Sequence, residues 1–175
     1  EMAKSLPWLR YPEPLRGWVG GEPGFDPMYI TQGFPTYIVR EAELKHGRVC
    51  MLATIGWIAT DLGARFPADI FQKATTISAH DDMVAAGLMQ PFFATLGSME
   101  LYGGFLLAEG WRYACADGGL NRDAGDFFVG KRFLPQDPEQ ADSMRLKELK
   151  NGRLAMLGFS GIVTQAVLTN STFPF

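Results

Sequence analysis

Two short runs carry the same polar residues at the same spacing: Glu43-Leu-Lys-His46-Gly-Arg48 and Glu148-Leu-Lys-Asn151-Gly-Arg153. In a helix, residues three apart lie on nearly the same face, so His46 stands beside Glu43 and Asn151 beside Glu148. A carboxylate neutralised by arginine, an imidazole and an amide oxygen have one capability in common. Each can offer a single axial donor to a metal already held in a macrocycle. Mg²⁺ favours oxygen and is left incompletely satisfied by four ring nitrogens. A bare ion would need several carboxylates converging on one point. These donors are spaced singly, as separate flat cofactors require. Glu109-Gly-Trp-Arg112 repeats the acid–base pairing at i,i+3, and Gln165 lies 14 residues beyond Asn151, about four helical turns on.

The elements that position these residues follow from an internal duplication. Residues 43–56 align without gaps on 148–161, with eight of 14 positions identical, and Arg40 matches Arg145 at the same offset of 105. Two unrelated apolar helices would match in Leu and Ala, not in a charged Glu-Leu-Lys-x-Gly-Arg run. Around the two copies, residues 1–34 are rich in Pro and Gly and read as an extended, irregular arm. Helices are expected over about 35–63, 82–114 and 138–168, joined by a polar connection (64–81) and a Gly/Asp-rich one (116–138).

Mean hydropathy near zero hides a segregated pattern: Val49–Thr60, residues 83–99 and residues 154–175 contain no Asp, Glu, Lys or Arg. Of the 16 Lys and Arg, six lie up to Arg48, eight lie from Arg112 to Arg153, and only Arg65 and Lys73 lie in the first connection. This split fits an all-α membrane protein with three transmembrane helices, the N-terminus and second connection being on the positive-inside face. Helices one and three then run in the same direction and are expected to cross as a pseudo-twofold pair. Glu43 can meet Arg153 and Glu148 can meet Arg48 across that axis, while Gly47, Gly152, Ala53 and Gly158 permit close approach. Such bridges could serve only to cement the pair; His46 and Asn151 beside them favour a ligand role.

The balance of 16 basic against 19 acidic residues, with pI near 5.4, excludes the strongly basic character of nucleic-acid-binding domains. Cys50 and Cys115 sit in apolar stretches and are expected to be buried thiols. The chain has no CxxCH, GxGxxG or GxxxxGK[ST] motif. Glu1-Met2-Ala3-Lys4 lacks a signal or transit pattern, as in a processed chain.

The paired Glu-x-x-[His/Asn]-x-Arg motifs, together with Gly24-Phe25-Asp26-Pro27, closely resemble the light-harvesting chlorophyll-binding antenna family, from Leu6-Pro7 to the region of Gln165. The resemblance implies one antenna domain over residues 1–175 and a non-enzymatic scaffold of three transmembrane helices around carotenoids. It implies chlorophyll magnesium ligation by Glu43, His46, Glu148, Asn151 and Gln165 on helices one and three, and by Glu109, beside Arg112, on helix two. Glu100 is one residue off a further helix-two position, with pairing or a water-filled edge as the alternative. His80 is a candidate ligand whose alternative is a cap or surface residue. Phe25, Asp26 and Pro27 resemble a turn near a carotenoid head group, though a simple Asp-capped turn is also open. The counterpart in the other loop is degenerate: Gly125-Asp126-Phe127 and Phe133-Leu134-Pro135 replace a clean Phe-Asp-Pro.

The chain ends at Thr172-Phe173-Pro174-Phe175 without the amphipathic helix of green-plant members, and Gly161-Ile-Val-Thr-Gln-Ala-Val-Leu-Thr resembles the red-lineage branch. Chlorophyll a, chlorophyll c, carotenoids of the xanthophyll class and bound lipid are therefore the expected cofactors. The expected location is the chloroplast thylakoid membrane, with the N-terminus stromal. Expected partners are photosystem core subunits, neighbouring antenna proteins and thylakoid lipids, with photosystem I favoured by the Leu6-Pro7-Trp8 arm. A photoprotective relative that dissipates excitation as heat is the alternative within the family. Such members often sense lumenal acidity through carboxylates on the 64–81 side, where Asp61, Asp69, Asp81 and Asp82 stand without forming a dense acidic cluster, so this reading ranks second. A small ion or proton transporter is the alternative outside it.

Overall fold

The structure is a computed structural model that describes residues 1–115 and 118–174. It is all-helical: α1 (Ile30–Gly33), α2 (Thr36–Asp61), α3 (Asp69–Lys73), α4 (Ala79–Ala85), α5 (Met89–Ala114) and α6 (Pro138–Thr169), with 3-10 turns at Glu13–Leu15 and Lys131–Phe133. Among the described residues the only extended pairing is an isolated bridge between Met2 and Arg10.

Local chemistry sets the ends of these helices. Pro35 precedes α2 and Pro138 opens α6, where proline's fixed φ suits a helix start and its missing N–H costs nothing. Gly63, at φ +92°, follows the end of α2 in the left-handed conformation that closes helices. The expected helix over 82–114 is two helices. Gly87 adopts φ +73°, and the amides of Gly87 and Leu88 turn back to the carbonyls of Val84 (3.0 Å) and Met83 (3.1 Å). That arrangement ends α4, and α5 begins afresh at Met89.

Among the described residues, no helix is long and apolar enough to cross a membrane. The three spans expected from the sequence are not met by apolarity, and the reason is where the charges fall. The first half of α2 carries Arg40, Glu41, Glu43, Lys45 and Arg48, α5 carries Glu100, Glu109 and Arg112, and α6 is charged up to Arg153. Length is not what is missing. At about 1.5 Å per residue the 26 residues of α2 and of α5 reach about 39 Å and the 32 of α6 about 48 Å.

The chain forms two compact units, residues 1–46 with 104–151 and residues 47–103 with 152–175. In the first, Tyr37 on α2 lies against Trp111 on α5 (ring centroids 6.3 Å apart), and the arm is tied to α2 by the Thr36 hydroxyl donating to the Pro14 carbonyl at 3.2 Å. In the second, the backbones of α2 and α6 touch at Gly47 and Gly152. A Cβ on either glycine would lie 3.0–3.1 Å from the other's Cα. Trp57 meets Phe159 edge-on at 6.1 Å, and Asp61 accepts from the Thr76 hydroxyl and, at 2.9 Å, from the Phe173 amide.

Among the described residues, the buried apolar side chains include Ala3, Tyr37, Ala74, Leu106, Ala141, Leu149 and Ala166. Leu52 on α2, Leu101 on α5 and Leu157 and Leu168 on α6 are each more than 70 % exposed. The thiols depart from expectation. Cys50 is half-buried and Cys115 is exposed, because Cys115 falls just past the end of α5.

Candidate functional site

The repeat presents its nitrogen-bearing side chains in one way. His46 Nδ1 lies 2.8 Å from the carbonyl of Ala42, one turn back on α2. A carbonyl can only accept, so Nδ1 carries the hydrogen and the lone pair is on Nε2. Asn151 Nδ2 donates to the carbonyl of Lys147, one turn back on α6, at 2.9 Å, which leaves the amide oxygen as the atom it can offer a metal. Both side chains are exposed. The helix thereby orients each donor and fixes which atom is offered, as a hydrogen bond to the far ring nitrogen usually does for a metal-bound histidine.

The arginines three residues before the glutamates differ between the copies. Glu43 and Glu148 are both half-buried. Glu43 Oε2 lies 3.4 Å from Nη1 of Arg40, whose side chain is almost wholly buried. The equivalent Arg145 turns to Asp142 (3.0 Å) and Asp123 (3.1 Å) and is 43 % exposed. On α5, Arg112 Nη1 donates to Glu109 Oε1 at 3.0 Å, as the i,i+3 spacing implied. Glu100 on α5 and Gln165 on α6 are exposed, Arg48 is half-buried and Arg153 is exposed. His80 is exposed and sits 3.1 Å from its neighbour Asp81.

In the arm, Asp26 is buried while Phe25 is exposed. The Asp26 carboxylate accepts from the Ile30 amide (2.9 Å), the Thr31 amide (3.0 Å) and the Thr31 hydroxyl (2.6 Å), so it caps α1. Burial pushes its pKa up, but these three hydrogen bonds outweigh burial and hold it below the usual carboxylate range. Of the two degenerate segments in the other loop, Asp126 accepts from the Phe128 amide at 2.8 Å and pairs with Lys131 at 3.0 Å.

Sequence reasoning missed Arg122. Its side chain has no exposed surface, and its Nη2 donates to Glu41 Oε1 at 2.7 Å. Nη1 reaches Tyr37 Oη (2.9 Å) and Glu41 Oε2 (3.0 Å), and Nε donates to the Asp126 carbonyl. Glu41 also accepts from the Gly125 amide. Burial lowers the arginine's pKa, yet the hydrogen bonds and charge of Glu41 raise it further, so it stays charged. The network clamps the second loop onto α2 and α5. Nothing local in Asn121-Arg122-Asp123 signals burial, because the partner lies 81 residues away.

Singly spaced donors on long helices, with His46 and Asn151 each bonded to its own helix, are the kind of donor set that flat metal macrocycles need. They fit chlorophyll magnesium, which takes one axial donor. The pattern of the family described as Chlorophyll A-B binding protein matches residues 11–167, and the chain belongs to that family. Its members are pigment-binding antenna proteins and not enzymes.

Among curated relatives, the chain is 33% identical over 139 residues to light-harvesting complex stress-related protein 1 of Chlamydomonas reinhardtii, covering 74% of this chain and 53% of that protein. It is 30% identical to photosystem I chlorophyll a/b-binding protein 5 of Arabidopsis thaliana, covering 98% of this chain and 72% of the relative. It is also 30% identical to a fucoxanthin-chlorophyll a-c binding protein of Isochrysis galbana, covering 85% and 74%. All three relatives are named as chloroplastic. The chain spans about half the length of the stress-related relatives it matches.

Proposed function

We propose that this chain is a light-harvesting antenna of the chloroplast thylakoid membrane that binds chlorophylls and carotenoids and passes excitation to a photosystem, photosystem I in particular. One observation carries the proposal. His46 and Asn151, equivalent in the repeat and both exposed, each spend an N–H on their own helix and keep one further donor atom for a ligand.

Chlorophyll supplies light absorption and excitation transfer; the chain supplies position, orientation and a local field. Glu43, His46, Glu148, Asn151 and Gln165 hold chlorophyll on α2 and α6 and Glu109 does so on α5, with Glu100 and His80 as further candidates. Phe25, Asp26 and Pro27 shape the turn beside a carotenoid. The reciprocal pairing of Glu43 with Arg153 and of Glu148 with Arg48 belongs to the same reading and is supported by the repeat. The cofactors are chlorophyll a with chlorophyll c, xanthophylls and bound lipid. The partners are photosystem core subunits, other antenna proteins and thylakoid lipids.

In this reading α2, α5 and α6 span the membrane, with the N-terminus stromal. Each is longer than a hydrocarbon layer of about 30 Å, and the residues assigned to ligation and pairing are among the polar residues that interrupt their apolar surface. Exposed side chains such as Leu52, Leu101 and Leu157 face pigment and lipid.

Reconstitution with mixed chlorophylls and carotenoids tests the proposal. His46→Leu and Asn151→Leu should each lose chlorophyll, and carotenoid excitation should appear in chlorophyll fluorescence. A folded chain that takes up no chlorophyll would overturn the reading. The likeness to stress-related relatives favours a second reading, a dissipator of excitation. A fluorescence lifetime that shortens on acidification would select it, and an unchanged one the antenna. Membership of a chlorophyll-binding family leaves ion transport without support.

A further inference from the structure

We infer that Trp18, in the N-terminal arm, is a positioning residue for the pigment site at Glu43, acting through Arg40. The inference rests on the proposed role of Glu43 as a chlorophyll ligand. The Arg40 guanidinium carbon lies 5.7 Å from the centroid of the Trp18 ring, within range for a cation–π contact. Arg40 is 8 % exposed, so the contact is largely desolvated, the setting in which such contacts are strongest. On its other side, Arg40 Nη1 lies 3.4 Å from Glu43 Oε2. Trp18, Arg40 and Glu43 thus form a chain of contacts from the arm to a proposed ligand atom.

The arm holds Trp18 in place. The Trp18 amide donates to the Leu15 carbonyl at 3.2 Å, and its carbonyl accepts from the Gly21 amide at 2.9 Å. A Cβ at Gly21 would come within 2.4 Å of the Leu15 oxygen, so the turn that presents the indole requires glycine there. The second copy of the repeat supplies the contrast. Arg145, equivalent to Arg40, is 43 % exposed and turns to Asp142 and Asp123.

A fixed cation beside a ligating carboxylate draws electron density from the donor and sets the field at the pigment. Trp18 therefore tunes the absorption energy of the chlorophyll at Glu43 without touching it, and does so for that copy of the repeat alone.

Low-temperature absorption of the reconstituted protein, with pigment counting, tests this. Trp18→Leu should keep the chlorophyll number and displace one band worth one chlorophyll. Trp18→Phe, a weaker cation–π partner, should displace the same band less. Arg40→Lys, which keeps the charge but loses the planar stack, should move it too, and Arg145→Lys should not. A merely structural role for Trp18 would lower yield without moving that band. If Trp18→Leu does not assemble, Trp18→Phe decides, and an unshifted spectrum there overturns the inference. Loss of one chlorophyll in Glu43→Ala with unshifted Trp18 variants overturns the inference alone. A Glu43→Ala protein that keeps every chlorophyll overturns the inference together with the ligand assignment.

Discussion

The two copies of the repeat agree in what lies within a helical turn and differ in what reaches them from elsewhere. His46 and Asn151 use the same i−4 hydrogen bond, and Gly47 and Gly152 meet at equivalent positions. Six and seven residues before those glycines the likeness ends. Arg40 is buried against Trp18 and Glu43, while Arg145 is an exposed residue engaging two aspartates. Glu41 is locked by Arg122, and its counterpart in the second copy is Leu146. Duplicated sequence thus gives duplicated donors. The arm and the second loop give the two copies different charged neighbours, and in the proposed reading such differences let pigments on one scaffold differ in energy.

The largest expected effect comes from abolishing what the copies share. Gly47→Val and Gly152→Val each place a branched side chain where backbone already lies about 3 Å away. Both should block assembly, as read by the yield of pigmented protein. If one is tolerated, the equivalence fails at its centre. Next comes the asymmetric part. Arg122→Leu leaves Glu41 buried and unpaired, a loss of about 3–5 kcal/mol, whereas Arg145→Leu removes exposed pairs worth about 1 kcal/mol or less. Thermal unfolding followed by helix circular dichroism compares them, and equal midpoints would erase the distinction.

Smaller effects sharpen the ligand pairs. Glu43→Ala should reduce reconstitution yield more than Gln165→Ala, since the first strips Arg40 of a partner and the second alters an exposed side chain. His46→Leu and Asn151→Leu should each cost one chlorophyll at similar yield, and pigment analysis checks both.

The smallest effect concerns the arm. The pKa of Asp26 is depressed in the fold, so the unfolded arm binds its proton first as pH falls. The stability that Asp26 lends α1 is complete above the usual carboxylate range and is lost as pH drops below it. Protease cleavage within residues 22–34 should accelerate only in that acidic window, and Asp26→Asn should flatten the dependence.

Much of the fold was legible because its signals are local. Helical periodicity, the prolines before α2 and α6 and the charged repeat all act within a few residues, and the ends of those two helices fall within two residues of expectation. The break at Gly87 was hidden because a charge-free run reads the same in one helix or in two. Spacing placed His46 beside Glu43, Asn151 beside Glu148 and Arg112 beside Glu109, since side chains three or four apart share a face wherever the helix lies, and the family resemblance implied the ligand role of these residues and of Gln165.

What the sequence could not supply was the partner of each charge. An arginine in a Gly/Asp-rich loop and a glutamate in a charged helix look solvated, and only folding brought Arg122 to Glu41 across 81 residues, or Trp18 to Arg40. Hydrogen bonds along a helix are fixed by the helical repeat and so are written into residue spacing. Contacts between distant segments depend on where loops close, and loop closure answers to the packing of the whole chain.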